Sequence, residues 1–342
     1  MNVEPRAEHD WPRHGGALAA AAARYRIPAA RWLDLSTGIN PAPYPVPQIG
    51  GRLFARLPDR TGLDDLLAAA RRAYRIPRSA AIVAVPGSEV AIHLAPGLAP
   101  PGPVVIFGPT YSSHEEAWEN AGRRVVVAEA GAPIPADVAS AVIGNPNNPD
   151  GRTVSPAALT ALAERLAGRG GMLIVDEAFA DTRPDVSLCP LLDRVPAVVL
   201  RSFGKFYGLP GLRLGFAVGP RRLIVPLGRM LGDWPVSTAA IEIGTRALND
   251  LRWQDVARER LAAEELRLRE LLARHGLNVV GSTGLFVLAE HEEALLIHRG
   301  LARRAILTRV FKTRPTWLRF GLPRGEGFDR LDRALADVMA AR

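Results

Sequence analysis

"AVVLRSFGKFYGLPGLRLGFAVG", residues 197–219, decides the architecture. Two apolar runs, "AVVLRSF" (197–203) and "LRLGFAVG" (212–219), flank the segment "GKFYGLPG". That linker is too short for the helical crossover that joins parallel strands, so the two runs are expected to pair as antiparallel neighbours. Upstream lie five more strand candidates: "AAIVAV" (80–85), "PVVIFG" (103–108), "RRVVVAE" (123–129), "ASAVIGN" (139–145) and "GMLIVDE" (171–177). Several are continuously apolar, as strands covered on both faces are. Segments 61–75, 88–98, 112–121 and 156–168 read as helices between them. The pattern predicts an α/β domain with a mostly parallel seven-stranded sheet between helices.

The texture changes after residue 220. An arginine- and leucine-rich stretch, 236–275, reads as one long helix. "LNVV" with "GLFVLAE", "AILTRVF" and "TWLRFGL" read as strands, and 291–303 and 326–341 as helices. This is the pattern of a smaller α+β domain. The Pro/Gly-rich stretch "GINPAPYPVPQIG" (38–50) is a connector. The expected division is an arm over 1–40 that joins the small domain, a large domain over 41–230 and a small domain over 231–342. A chain of 342 residues suits two domains.

With 48% hydrophobic and 23% charged residues, the chain can bury a sizeable core. No apolar run is long enough to span a bilayer, and the first residues lack a signal-peptide pattern. The single cysteine, Cys189, cannot close an internal disulfide, so a cytoplasmic protein is expected. A net charge of +8 raises the alternative of a non-enzymatic nucleic-acid binder. The arginine pairs are scattered, however, and aromatics are only 6%, so no platform for stacking bases is built. Neither nucleic acid nor membrane is an expected partner, and no metal is expected.

Lysine is the informative residue. The chain has two, Lys205 and Lys312, against 41 arginines. An amine can lose its proton and attack a carbonyl; a guanidinium keeps its proton. Lys205 therefore reads as a nucleophile rather than as surface charge. Three other polar positions follow strands, where open α/β sheets bind ligands. In "VPGSEVAIHLA", the N–H groups of Gly87, Ser88 and Glu89 face an anion at a helix start, although Ser88 alone is explained as a helix cap. In "GNPNNPDG", Asn148 offers an amide in a rigid turn, possible in cis at Pro149, although turn chemistry alone explains such clusters. Asp176 ends an apolar strand, where a carboxylate needs a cation, a donor or a helix cap, while Glu177 points the other way. Ser202 and Arg213 flank the lysine. Together these are a phosphate cradle, an acid aimed at a cationic nitrogen, an amide donor and a nucleophilic amine, the parts of a pyridoxal-phosphate site.

The sequence resembles the fold-type I pyridoxal-phosphate enzymes over nearly its whole length. "NNPDG", "DEAF" and "SFGKFYGLPGLRLGF" occur in that group's order and spacing, with "WLRFGL" near the end. Within the group it is similar to the histidinol-phosphate aminotransferases, and among these to the threonine-phosphate decarboxylases of cobalamin biosynthesis. The finer likeness rests on "HGGALAAAAARYRIP", "LDLSTGINP" and the phenylalanine of "DEAF". The resemblance implies that Lys205 holds pyridoxal 5'-phosphate covalently and returns a proton to Cα. It implies that Asp176 pairs with the ring nitrogen, Asn148 with the ring hydroxyl oxygen, and that Tyr111 stacks on the ring. Gly87, Ser88, Glu89, Ser202 and Arg213 would hold the cofactor phosphate. Arg319 would clamp a substrate carboxylate, with His14 and Arg309 at a substrate phosphate and Asn40 nearby.

The implied reaction is decarboxylation of L-threonine O-3-phosphate by a homodimer. A histidinol-phosphate-type aminotransferase is the alternative. Two departures stand out. Leu57, in "RLPD", replaces a tyrosine that in relatives reaches the partner's cofactor phosphate, with Arg60 a candidate substitute. Phe179 replaces the tyrosine typical of the aminotransferases, which fits the decarboxylase branch.

Overall fold

The computed structural model describes residues 14–48 and 50–341. The stretch 1–13, read above as lacking a signal peptide, lies outside the described residues. Backbone contacts divide the chain into two units. The larger holds Ala42–Ala262 with Thr283–Leu285; the smaller holds the described residues up to Pro41, Ala263–Ser282 and those from Phe286 onward.

The larger unit is built on seven strands: β1 (Ala81–Val85), β2 (Val104–Gly108), β3 (Val125–Glu129), β4 (Ser140–Gly144), β5 (Met172–Asp176), β6 (Ala197–Ser202) and β7 (Gly215–Gly219). Their order across the sheet is β1-β7-β6-β5-β4-β2-β3. Only β7 runs against its neighbours, pairing antiparallel with both β1 and β6. The connection between β6 and β7, residues 203–214, holds only the short helical turns Phe203–Phe206 and Pro210–Leu212 and no crossover helix, so the chain returns antiparallel. Strands β2, β4, β5, β6 and β7 are buried at every position, as their unbroken apolar runs require. One core layer joins Ile106, Val142, Ile174 and Val198 to Ile92 and Trp118 of the covering helices.

Two expectations need correction. The helix expected over 236–275 is two, Thr238–Asn249 and Leu251–Arg274. The break is chemical: Asp250 Oδ1 accepts the Trp253 N–H at 3.0 Å and opens the second helix. Gln254 Nε2 donates to the carbonyls of Ala247 and Leu248 and closes the first. Residues 231–262, assigned from sequence to the small domain, group with the large sheet. The contacts between Thr238–Asn249 and the helix Arg60–Ala73 hold them there. A further helix, Arg221–Leu231, escaped the sequence reading because Pro226 lies inside it; it packs on β1 and buries Ile224 and Leu227.

The smaller unit carries a four-stranded antiparallel sheet of β8 (Asn278–Ser282), β9 (Phe286–Glu290), β10 (Arg309–Phe311) and β11 (Arg314–Gly321), in the order β10-β11-β9-β8. Helices Leu18–Tyr25, Ala294–Arg303 and Gly327–Ala340 belong to the same unit. The single run "AILTRVF" divides. Ile306–Leu307 pairs parallel with Leu33–Asp34, then β10 pairs with β11. Lys312 lies exposed in the turn between β10 and β11.

Candidate active site

Because β7 alone is reversed, the carboxyl ends of β1, β2, β4, β5 and β6 share one edge of the sheet. Gly87–Glu89, Tyr111, Asn148, Asp176 and Ser202–Lys205 follow those five ends in turn, and Arg213 precedes β7 at the same edge. The topology thus gathers all nine cofactor-site candidates at one side.

Gly87 has φ +83°, and a Cβ there would stand 2.5 Å from Arg213 Nη2. The missing side chain lets the guanidinium lie against the loop. Arg213 itself sits in the left-handed region, at φ +53°, which turns it back over that loop. A Cβ at Gly215 would stand 2.7 Å from the Ser88 nitrogen, so β7 also approaches the loop through a glycine. Gly87, Ser88 and Arg213 are thus close together, and backbone N–H groups, serine hydroxyls and a guanidinium are the donor types that could hold a phosphate group.

Asp176 is buried and held from two sides. Its Oδ1 accepts the Ala178 N–H at 3.0 Å, and its Oδ2 lies 3.0 Å from His114 Nε2. His114 escaped the sequence reading: it lies 62 positions from Asp176, and nothing local in "GPTYSSHEEA" marks it. Tyr111 packs edge-to-face on His114, with ring centroids 6.3 Å apart. Burial, partly offset by a hydrogen bond with Ser113, pushes the Tyr111 phenol up to about 12, so it presents a neutral ring. Lys205 Nζ stands 5.9 Å from the ring centroid of buried Phe179.

The asparagines of "GNPNNPDG" separate by role. Asn145 bonds Val154 and the Val186 carbonyl, and Asn147 bonds the Pro109 carbonyl and Asp150. These two build the loop that carries Asn148, and the Asn148–Pro149 peptide is cis. Glu177 points away from Asp176, as strand alternation requires. It accepts from Ser187 Oγ, the Leu188 N–H and Arg201 Nη1, at 2.6, 2.6 and 2.9 Å. Arg201 also pairs with Asp181 at 2.9 Å and lies over the Tyr74 ring. Burial pushes both carboxyls up; against its own desolvation, Arg201 is held above its ordinary range by Asp181 and Glu177. Arg60, the candidate substitute for the missing tyrosine, is exposed and bonds Asp64 within its own helix.

The four substrate-site candidates all lie in the smaller unit. Arg319 is 7% exposed; it donates to the Ser36 carbonyl at 3.0 Å and lies over the Phe286 ring. In the β10–β11 register, Arg309 stands directly opposite Arg319. Directly opposed residues share a face, so the two guanidinium-bearing residues stand on one side of the sheet. A small pocket is lined by His14, Ser36, His298, Thr308 and Arg309. Its "HGG" wall is tight: a Cβ on Gly15 would stand 2.2 Å from the Ser36 carbonyl oxygen, and the Gly16 N–H donates to Ser36 Oγ. Asn40 is buried in the same unit.

His298 was not anticipated from sequence. Burial, with the positive charges of Arg24, Arg299 and Arg309, pushes its imidazole down to about 4. In the unfolded chain a histidine takes up its proton near 6.5. Between those values the unfolded state binds more protons, so stability falls as the pH falls through about 6.5 toward 4. His298 is expected to contribute about 3 kcal/mol to that loss. Urea unfolding from pH 7.5 to 4.5 checks this: His298→Asn should flatten the decline.

Comparison with known proteins agrees with this architecture. Residues 47–327 match the model of the aminotransferase class I and II family, and the chain belongs to that family. Two curated threonine-phosphate decarboxylases are each 44% identical to it. The one from Pseudomonas aeruginosa aligns over 94% of this chain and 96% of its own, and the one from Sinorhizobium sp over 96% and 97%. A histidinol-phosphate aminotransferase from Chromohalobacter salexigens is 35% identical over 58% of each chain. Among solved structures, histidinol-phosphate aminotransferase from Sinorhizobium meliloti in complex with pyridoxal-5'-phosphate has a TM-score of 0.80 at 18% identity, covering 100% of this chain and 99% of its own. Among the described residues no helix is long and apolar enough to cross a membrane.

Proposed function

We infer that this chain is a pyridoxal-phosphate-dependent decarboxylase that converts L-threonine O-3-phosphate to (R)-1-amino-2-propanol O-2-phosphate and CO2, a step of cobalamin biosynthesis. The observation that carries the reading is the cross-strand pair Arg309 and Arg319. Two cations on one face suit a substrate with two anionic groups, and this substrate carries a carboxylate and a phosphate a few atoms apart. Histidinol phosphate has a phosphate and no carboxylate. The near-full-length identity to threonine-phosphate decarboxylases supports the same choice.

The cofactor, when bound, supplies a conjugated ring that accepts the electron pair of the bond at Cα held perpendicular to it. The residues of the chain then divide the work. Gly87, Ser88, Glu89, Ser202 and Arg213 hold the cofactor phosphate. Asp176, oriented by His114 and the Ala178 N–H, keeps a proton on the ring nitrogen by opposite charge. Asn148 donates to the ring oxygen, and Tyr111 covers one ring face. Lys205 holds the cofactor before substrate enters and afterwards carries a proton to Cα. Arg319 holds the carboxylate in a two-pronged bond, while Arg309 and His14 hold the phosphate. Orientation between these anchors selects loss of CO2 over loss of the Cα proton. Phe179 supplies no hydroxyl near the lysine.

The active assembly in this reading is a homodimer. Phe54, Leu57 and Trp234 are large apolar side chains exposed on the larger unit, as a covered face would require. Light scattering of the purified protein should give twice the 36.8 kDa chain mass. Product analysis tests the reaction. With L-threonine O-3-phosphate and a 2-oxo acid both present, phosphorus NMR should show aminopropanol phosphate alone, and the oxo acid should remain unaminated. Amination of the oxo acid would overturn the decarboxylase reading in favour of an aminotransferase.

Gly87→Ala tests the cradle. The substituted residue would be strained at this backbone angle, at about 1–3 kcal/mol, and its Cβ would displace Arg213. The dissociation constant for pyridoxal phosphate, measured by spectral titration, is expected to rise roughly tenfold or more.

A further inference from the structure

We propose that His298 is a positioning residue of the pocket beside His14 and Arg309: bonded to Thr308, it fixes the step in the chain from which Arg309 meets a substrate phosphate. The inference rests on the phosphate assignment above and adds a residue that acts through Thr308 and Arg309.

Thr308 is the one residue between two ladders. Ile306–Leu307 pairs with Leu33–Asp34, and Arg309 pairs opposite Arg319. The chain changes partner at Thr308, so the direction of Arg309 depends on how that step is held. His298 Nδ1 lies 2.7 Å from Thr308 Oγ1, and both residues are buried. The contact pins the step to the helix Ala294–Arg303. That helix otherwise turns Ala294, Ile297, Leu301 and Ala302 inward, so an aliphatic residue would be the ordinary choice at 298. A buried polar ring costs stability unless its bonds are made. His298 and Thr308 also line the same pocket as His14, Ser36 and Arg309. Burial first, and then the positive charges of Arg24, Arg299 and Arg309, keep the ring neutral. A neutral imidazole can hold Thr308 without adding a charge of its own to the pocket.

The test compares His298→Leu, Thr308→Val and His298→Asn in the holoenzyme with L-threonine O-3-phosphate. The asparagine amide places a polar atom near the Nδ1 position. For the leucine and valine variants, KM is expected to rise about tenfold with kcat within about twofold of wild type. The Ki of inorganic phosphate as a competitive inhibitor should rise by the same factor. His298→Asn should recover most of both. A leucine or valine variant with unchanged KM and phosphate Ki would overturn the proposal. So would a fall in kcat alone, or an asparagine variant no better than leucine. If His298→Leu does not fold, the near-isosteric Thr308→Val carries the test. Failure of the phosphate assignment itself has a separate sign: inorganic phosphate would not compete with substrate in the wild type.

Discussion

Lys205→Ala is expected to lower turnover by about ten-thousand-fold or more, the upper range for losing one acid–base group with the covalent role lost as well. Lys205→Arg should be equally inactive, and that is the sharper half of the prediction. Arginine keeps the positive charge and loses only the capacity to shed a proton. Position 205 lies in the one-turn helix Phe203–Phe206, directly after β6. The following loop closes tightly over it: a Cβ on Gly204 would stand 2.8 Å from Pro210 Cα. The amine is therefore set by a packed turn rather than by a mobile loop. Lys312→Arg, in an exposed turn, should leave turnover unchanged. Single-turnover kinetics on the four proteins, with the visible absorbance of covalently held cofactor, separates these outcomes. An active Lys205→Arg would refute the nucleophile assignment.

Arg201→Met is expected to produce the largest stability loss, about 3–5 kcal/mol, the range for breaking a buried ion pair by removing one partner. The substitution leaves Glu177 and Asp181 buried with their common cation gone. The sign of the pH dependence follows. Burial already raises both carboxyls above their unfolded values, so the folded state holds their protons more tightly. Stability from that source is present at low pH and is lost as the pH rises from the unfolded value through the raised folded one. Without the cation the raising grows, so the cost of Arg201→Met should be larger at pH 8 than at pH 5. Denaturant unfolding at both pH values checks it; a pH-independent cost would mean that the carboxyls are not the source. Glu177 and Arg201 adjoin Asp176 and Ser202 in sequence, so this cluster also braces the strand ends that carry the cofactor site.

The seven strands of the large sheet were legible because each is a short apolar run, and five of them are buried at every position, so they need no partner in sequence to be recognised. The reversal of β7 was legible because linker length is a local property. Lys205 stood out through composition alone. His114 did not, because its meaning arises only when β2 and β5 bring it to Asp176. The break at Asp250 was hidden in an arginine- and leucine-rich stretch that carries a helical pattern on both sides of Asn249–Asp250; it needed the side chains of Asp250 and Gln254 turned back onto the backbone. His298 was hidden for a different reason. At helical spacing it reads as one more inward residue, and only the division of "AILTRVF" at Thr308 gives its ring a partner.

The most direct test is CO2 release from carboxyl-labelled L-threonine O-3-phosphate by the purified holoenzyme with no 2-oxo acid present. The reading predicts sustained turnover, with one aminopropanol phosphate formed per CO2 released. Substrate consumed without CO2, or turnover that stops after one equivalent until an oxo acid is added, would contradict it.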